Sequence, residues 1–105
     1  MASDQKTVDY ITEQMLGAGN IRSRKMFGEY AIYCDDKVVA LVCDNQLFLK
    51  ITEPGRGVVK TQRLGAAYPG AKDSLVIGEE YWDDHDYLSQ LARVTADALP
   101  APKKK

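Results

Sequence analysis

The sequence has few of the residues on which metal sites and nucleophilic sites depend. It contains one histidine, His85, and two cysteines, Cys34 and Cys43, in 105 residues. A structural zinc site built from Cys and His needs four ligands, so these three residues cannot complete one. A disulfide-rich secreted scaffold is also excluded, because two cysteines form at most one bridge.

Long apolar runs and an excess of one charge are also missing. No run approaches the ~20 apolar residues of a membrane-spanning helix, and no basic start followed by an apolar stretch marks a secretory signal. The 14 Lys and Arg are balanced by 15 Asp and Glu, which leaves a net charge of -1. A dedicated non-specific nucleic-acid binder is normally basic, so the overall charge does not favour that class.

The composition is that of a soluble globular domain. Hydrophobic residues make up 45% of the chain and charged residues 28%, both near the averages for folded proteins. The length suits one domain with one core. We expect residues 1–99 to form that domain and residues 100–105 to form a flexible basic tail. We also expect a cytoplasmic protein whose two thiols stay reduced.

Hydrophobic periodicity predicts a helix at each end of the chain. Val8, Ile11 and Met15 recur at helical spacing, after Ser3 or Asp4 as the N-cap. Asp83 or Asp84 is expected to cap the last helix, which ends at Pro100. Its predicted buried stripe consists of Leu88, Leu91, Ala92, Thr95, Ala98 and Leu99. The acidic run at its start indicates a helix N-terminus, whose dipole favours negative side chains. The aromatic pair Tyr81-Trp82 is assigned to the core.

Between the helices the pattern predicts strands. Four runs rich in β-branched and aromatic residues cover 21–27, 29–34, 37–43 and 46–52. They are joined at Gly28, Asp35-Asp36 and Asp44-Asn45, which are residue types that tolerate the positive φ of tight turns. Such short joints allow only antiparallel neighbours. The third run is apolar on both faces, which is typical of a central strand.

The rest of the chain is less regular. The apolar spacing predicts a short helix over 57–64, and a loop is expected over 65–72. A fifth strand is predicted over 74–77. Residues 79–82 either extend that strand or form a sixth one. Together these elements predict an α+β fold with two layers. An antiparallel meander of about five strands forms one layer, and the N-terminal and C-terminal helices pack on it.

Arg22, Arg24 and Lys25 form the densest basic cluster outside the tail. With Tyr30 and Tyr33 nearby, they are candidates for contact with nucleic acid or with an acidic protein. The other interpretation is an edge strand that charge protects against pairing with other chains. The sequence favours the protected edge and leaves the other two interpretations open.

A thiol-dependent enzyme is a further alternative. It requires His85 to meet Cys34 or Cys43 in space. If Asp35-Asp36 is a turn, Cys34 faces Lys37 and Cys43 faces Gly28, so the two cysteines are not cross-strand partners. Both are then expected to be small apolar residues within the sheet.

One segment carries a family resemblance. The run Arg24-Lys25-Met26-Phe27-Gly28-Glu29-Tyr30-Ala31-Ile32-Tyr33 resembles the signature of the TfoX (Sxy) N-terminal domain family. The residues carried over as the family motif are Met26, Phe27, Gly28, Tyr30, Tyr33 and Lys50. The opening helix and the late Tyr81-Trp82 also look like the family's flanks, so the resemblance covers almost the whole chain.

The resemblance implies a small α+β domain without established catalytic residues, cofactors or metals. The family's best-known members are competence regulators that help a transcription activator at certain promoters. Those members carry a second, helical domain, and we expect this chain to be a single-domain member. The expected partner is therefore a protein, such as a transcription regulator. Homodimerisation through an exposed strand edge is also expected.

Overall fold

A six-stranded antiparallel sheet forms the centre of the structure. The structure is a computed structural model, and it describes residues 4–26, 29–60 and 63–100. In chain order the strands are β1 (Ile21–Met26), β2 (Glu29–Cys34), β3 (Lys37–Cys43), β4 (Gln46–Leu49), β5 (Leu64–Ala66) and β6 (Asp73–Ile77). Their order across the sheet is β1-β2-β3-β4-β6-β5. The first four strands therefore form the predicted meander, and β1 and β5 are the two edges.

The turns of the meander follow from their residue types. Asp35 and Asp36 have φ values of 51° and 69°, and Asp44 and Asn45 have 52° and 55°. Two successive positive φ angles define the type I′ turn, whose twist suits a two-residue hairpin. The joints predicted at these two places are confirmed. The predicted turn at Gly28 lies outside the described residues.

The strand faces follow the alternation of side chains that is usual along a strand. Tyr30, Ile32 and Cys34 on β2 belong to the main core. β3 lies inside the sheet and contributes to both faces, with Val42 in the main core and Cys43 in a second, smaller cluster. Cys34 pairs with Lys37, as predicted from the turn at Asp35-Asp36. A bulge at Ile32/Tyr33 then shifts the β2–β3 register by one residue, so that Tyr30 pairs with Val42. The prediction that Cys43 faces Gly28 assumed an unshifted register and was therefore wrong.

Helices cover one face of this sheet. The described residues form α1 (Gln5–Gln14), α2 (Glu53–Val58) and α3 (His85–Ala98), and a 3₁₀ turn at Leu16–Ala18 follows α1. α1 contributes Val8 and Ile11 to the main core, and α2 packs Val58 against it. α3 contributes Tyr87, Leu88, Leu91, Ala92 and Ala96. The α+β, two-layer prediction is confirmed.

The ends of the helices differ from the prediction in detail. Asp84 is the N-cap of α3, and its Oδ1 accepts a hydrogen bond of 3.0 Å from the Tyr87 amide. Asp4 occupies the N-cap position of α1, but its side chain makes no capping hydrogen bond. The predicted stripe of α3 is buried at four positions, whereas Ala98 is exposed and Leu99 is half-buried. Of the aromatic pair assigned to the core, Trp82 is buried with 7% exposure, whereas Tyr81 is half-buried and packs against the core.

The short helix lies earlier than the predicted range of 57–64. α2 begins after Thr52, whose Oγ1 accepts a 3.0 Å hydrogen bond from the Gly55 amide. Pro54 lies in the first turn, where the missing N–H of proline costs no helical hydrogen bond. Val59 is already extended, so the prediction was wrong about where the helix begins and ends.

Two further predictions for this part of the chain were wrong. Residues 64–66 form β5, which pairs with β6. The prediction had placed these residues at the end of the helix and in the following loop. Residues 79–81 form a single 3₁₀ turn in place of strand. The predicted strand over 74–77 is confirmed as β6, but it lies between β4 and β5. The sheet therefore has six strands where about five were expected.

Candidate interaction surface

The basic cluster lies on strand β1, at a free edge of the sheet. The register pairs Arg22 with Tyr33, Arg24 with Ala31 and Lys25 with Tyr30. Because successive side chains on a strand point to opposite faces, Arg22 and Arg24 share the face of Tyr33. Lys25 points to the face that the helices cover. All three basic residues are exposed, so the prediction of a charged edge strand is confirmed.

The three basic side chains differ in their partners. Arg22 forms an ion pair with Asp36, and their side chains are 60% and 63% exposed. An ion pair this exposed contributes at most about 1 kcal/mol, so another anion can replace the carboxylate. Arg24 and Lys25 form no ion pair or side-chain hydrogen bond with a described residue. The edge therefore presents positive charge on both faces of one strand.

The two tyrosines near the cluster are separated by the sheet. Tyr30 is 9% exposed and belongs to the main core, so it cannot accompany the basic residues. Tyr33 is half-buried on the same face as Arg22 and Arg24. Together with Ser23, these residues line a cavity of about 260 Å³. The sequence identified the cluster, but only the strand alternation shows which tyrosine belongs to it.

The family motif residues occupy several environments. Met26 is the last residue of β1, and Phe27 and Gly28 lie outside the described residues. Lys50 follows β4 directly, is exposed, and its amide donates a 2.9 Å hydrogen bond to the Val39 carbonyl. Its side chain lies at the end of the sheet, where it borders a cavity of about 200 Å³ with Asp36, Val38 and the residues that follow α3, Leu99 and Pro100. The sequence did not show that Lys50 lies at the same end of the sheet as Arg22.

An arginine that the sequence analysis missed fixes the turn beside this surface. Arg93 Nη1 donates hydrogen bonds of 2.7 Å to the Ala18 carbonyl and 2.9 Å to Asp35 Oδ2, and Nη2 donates one of 2.7 Å to Asp97 Oδ1. The two carboxylates raise the pKa of Arg93. The Asn20 amide and Arg93 lower the pKa of Asp35. The turn that holds Asp36 near Arg22 is thus anchored to α3.

The two thiols lie in apolar surroundings on opposite faces of the sheet. Cys34 belongs to the main core and Cys43 to the second cluster, and both are free. Burial is the main cause that raises the pKa of each thiol, and Asp35 or Glu29 adds to it. A raised pKa lowers the thiolate fraction and hence the reactivity. Among the described residues no hydrogen bond joins His85 to either sulfur, and no His, Cys, Asp or Glu group is arranged to hold a metal ion.

A second concave region lies between α1 and the 3₁₀ turn after β6. It encloses about 730 Å³, and its lining consists of Lys6, Thr7, Tyr10, Glu79, Glu80, Trp82 and Asp83. The Tyr10 hydroxyl donates a hydrogen bond to Asp83, which raises the pKa of Tyr10. Gln14 Nε2 donates a 2.8 Å hydrogen bond to the Trp82 carbonyl. These contacts hold α1 against the start of α3.

Comparison with known proteins places this architecture in a family. The TfoX N-terminal domain profile matches residues 13–99, and the chain belongs to that family. A relative from Spirochaeta aurantia, described as an uncharacterized 12.7 kDa protein in the trpE 5′ region, is 41% identical over 105 residues. That alignment spans 100% of this chain and 90% of the relative. The family resemblance seen in the sequence is therefore confirmed. No described helix has both the length and the apolar character required to cross a membrane.

Proposed function

We propose that the protein is a non-enzymatic regulatory domain that acts in the cytoplasm by binding a protein partner. Membership of the TfoX N-terminal domain family supports a role beside a transcription regulator. The observation that carries the proposal is the basic edge strand β1. Competence regulation is one setting in which such a domain would act.

Strand β1 has the features of a docking edge. An extended segment of a partner can add a strand to a sheet edge, with main-chain hydrogen bonds providing affinity and side chains providing specificity. Arg24 and Lys25 point to opposite faces of β1 and have no ionic partner among the described residues. An incoming strand with acidic residues at two neighbouring positions would place one carboxylate on each face. It would therefore neutralise the charges of both Arg24 and Lys25. The proposed partner therefore carries an acidic, extended segment.

The test is capture from a native extract with the charge of this edge reversed. We expect Arg24→Glu/Lys25→Glu to lose a partner that the wild-type chain retains, because the reversed charges repel an acidic segment. The matched control is Arg63→Glu/Lys72→Glu, which makes the same charge change beside β5 at the other edge. The captured protein is identified by mass spectrometry, and its acidic segment is tested as a synthetic peptide. An unchanged set of partners, or equal loss in the control, would contradict the proposal.

A second copy of the chain is the other proposed protein partner, and β5 is the edge that suits it. The stretch Leu64-Gly65-Ala66-Ala67-Tyr68 carries no charge, and Leu64 and Tyr68 are 47% and 56% exposed. Two β1 strands would instead bring like charges together, which is unfavourable. The proposed homodimer therefore pairs β5 with β5.

A further inference from the structure

We propose that the helix-free face of the sheet binds single-stranded nucleic acid. In this proposal Arg22, Arg24 and Lys50 contact phosphates, and Tyr33 stacks on a base. The proposal goes beyond protein binding at the β1 edge, although Arg24 takes part in both.

Arg22, Arg24 and Tyr33 lie on one face of the sheet, and Lys50 lies at the end of the sheet beside them. Arg22 of β1 pairs with Tyr33 of β2, and Tyr33 pairs in turn with Val38 of β3. Lys50 follows β4 at the same end of the sheet as Arg22 and borders a cavity of about 200 Å³, which is lined by Asp36, Lys37, Val38, Leu99 and Pro100. With strands ~4.8 Å apart, β1 and β4 are separated by about 14 Å. This spacing leaves room for a short run of nucleotides across the face.

The charges on this face complement a phosphate backbone. Arg24 has no ionic partner among the described residues, and Arg22 has an exposed partner, Asp36, that a phosphate can replace. Glu29 also points to this face, but it lies at the opposite end of β2 from Tyr33. Its Oε2 accepts a 3.3 Å hydrogen bond from the Asp44 amide. The local charge is therefore positive although the whole chain has a net charge of -1.

The shape of the face favours a single strand over a duplex. The described helices all pack on the other face, and Tyr33, Val38 and Leu41 are half-buried and partly accessible here. Unpaired bases can stack on an exposed aromatic ring and lie against apolar side chains. In a duplex the bases are already stacked, and the major groove admits a helix or a two-stranded ribbon, not the face of a wide sheet.

The test is fluorescence anisotropy with the full chain and labelled oligonucleotides of about 12 residues. Oligo-dT, oligo-U and a duplex of the same length are compared at ionic strengths from about 50 to 200 mM. We expect both single strands to bind more tightly than the duplex. With three phosphate contacts, the slope of log K against log salt is expected to be about -2.

Two variants separate stacking from charge. Tyr33→Leu keeps an apolar side chain and is expected to weaken binding roughly tenfold without changing the salt slope. Lys50→Gln is expected to make the slope less steep by about 0.7, because one phosphate contact is lost. Lys72→Gln, a lysine change beside β5, is the matched control and is expected to change neither quantity. Circular dichroism of each variant confirms that it folds.

Several outcomes would overturn this proposal. They are no binding at the lowest salt, a duplex that binds as tightly as the single strands, or full binding by Tyr33→Leu. An oligo-glutamate peptide that displaces oligo-dT at equal charge would show that the face recognises acidic protein instead. Protein capture by the β1 edge is measured separately with Arg24→Glu/Lys25→Glu, so either proposal can fail without the other.

Discussion

Arg93 and Thr95, two residues apart on α3, differ in how far the hydrogen-bonding capacity of their polar atoms is satisfied. Arg93 directs its two terminal nitrogens to a carbonyl and two carboxylates, and its buried Nε has no partner among the described residues. The Thr95 hydroxyl is fully buried and has no hydrogen-bond partner among the described residues. It lies against Gly55 of α2, where an added Cβ would be 3.5 Å from Thr95 Oγ1. The side chain of Thr95 therefore contributes to packing, while its hydroxyl makes no hydrogen bond that would stabilise the fold.

The substitution Thr95→Val tests this interpretation. Valine has nearly the same shape and removes a buried polar group that lacks a partner, so the free energy of unfolding is expected to stay the same or rise by roughly 1 kcal/mol. Urea denaturation measures the change. Thr95→Ala serves as the control and is expected to destabilise by about 1 kcal/mol, because it leaves a small cavity. A clear loss of stability in Thr95→Val would show that the hydroxyl has a partner.

Among the helices and strands, the sequence predicted those that have a recognisable residue pattern within their own segment. α1 and α3 have a helical apolar stripe, and β2, β3 and β4 are short runs rich in β-branched and apolar residues that are separated by Asp and Asn turns, so residue order alone defines them. α2 and β5 lack such a pattern. The helix was predicted over 57–64, but α2 begins at Glu53 and has Pro54 in its first turn. β5 has only three residues, and its pairing with β6 is a tertiary contact.

The cap of α3 gives a prediction with a defined pH dependence. The Tyr87 amide, and to a smaller extent Lys60, lower the pKa of Asp84. A carboxylate whose pKa is lowered in the folded state stabilises above its unfolded pKa of about 4, and this contribution is lost as the pH falls through the folded pKa. We expect Asp84→Ala to lower the thermal midpoint at neutral pH and Asp84→Asn to lower it less, because Asn also caps helices.

Calorimetry from neutral to acidic pH measures this effect. The difference between wild type and Asp84→Ala is expected to shrink below pH 4, as the carboxylate becomes protonated. Asp86→Ala, in the first turn of the same helix but not at its cap, provides the comparison. A difference that stays constant across the acidic range would mean that the charge of Asp84 does not matter for stability.

For the whole molecule, the two sheet edges lead to a prediction about oligomeric state. The uncharged β5 edge is proposed to pair with a second copy, so light scattering at micromolar concentration is expected to give the mass of a dimer. Leu64→Lys is expected to shift the protein to monomer, because charge on an edge strand opposes pairing. Leu16→Lys, at a leucine that is 54% exposed outside the sheet, is the control. A monomer mass for the wild-type chain, or an unchanged dimer in Leu64→Lys, would contradict the proposed pairing.

The candidate surface was only partly predictable from sequence because it depends on the arrangement of the whole sheet. Arg22, Arg24 and Lys25 are recognisable as a cluster by their proximity in the chain. That Lys25 points away from the other two, and that Tyr30 is core while Tyr33 is accessible, follows from strand alternation and from the face that the helices cover. The position of Lys50 at the same end of the sheet as Arg22 depends on the strand order of the sheet, which short motifs do not specify.

The two type I′ turns at Asp35-Asp36 and Asp44-Asn45 have a consequence for how the chain reaches this structure. A two-residue connection loses little chain entropy on closure, whereas joining β6 to β4 must close the longer segment that contains α2 and β5. Strands β2, β3 and β4 can therefore assemble first from neighbouring sequence. They then form a template on which β6 and the terminal helices dock in a later step of folding.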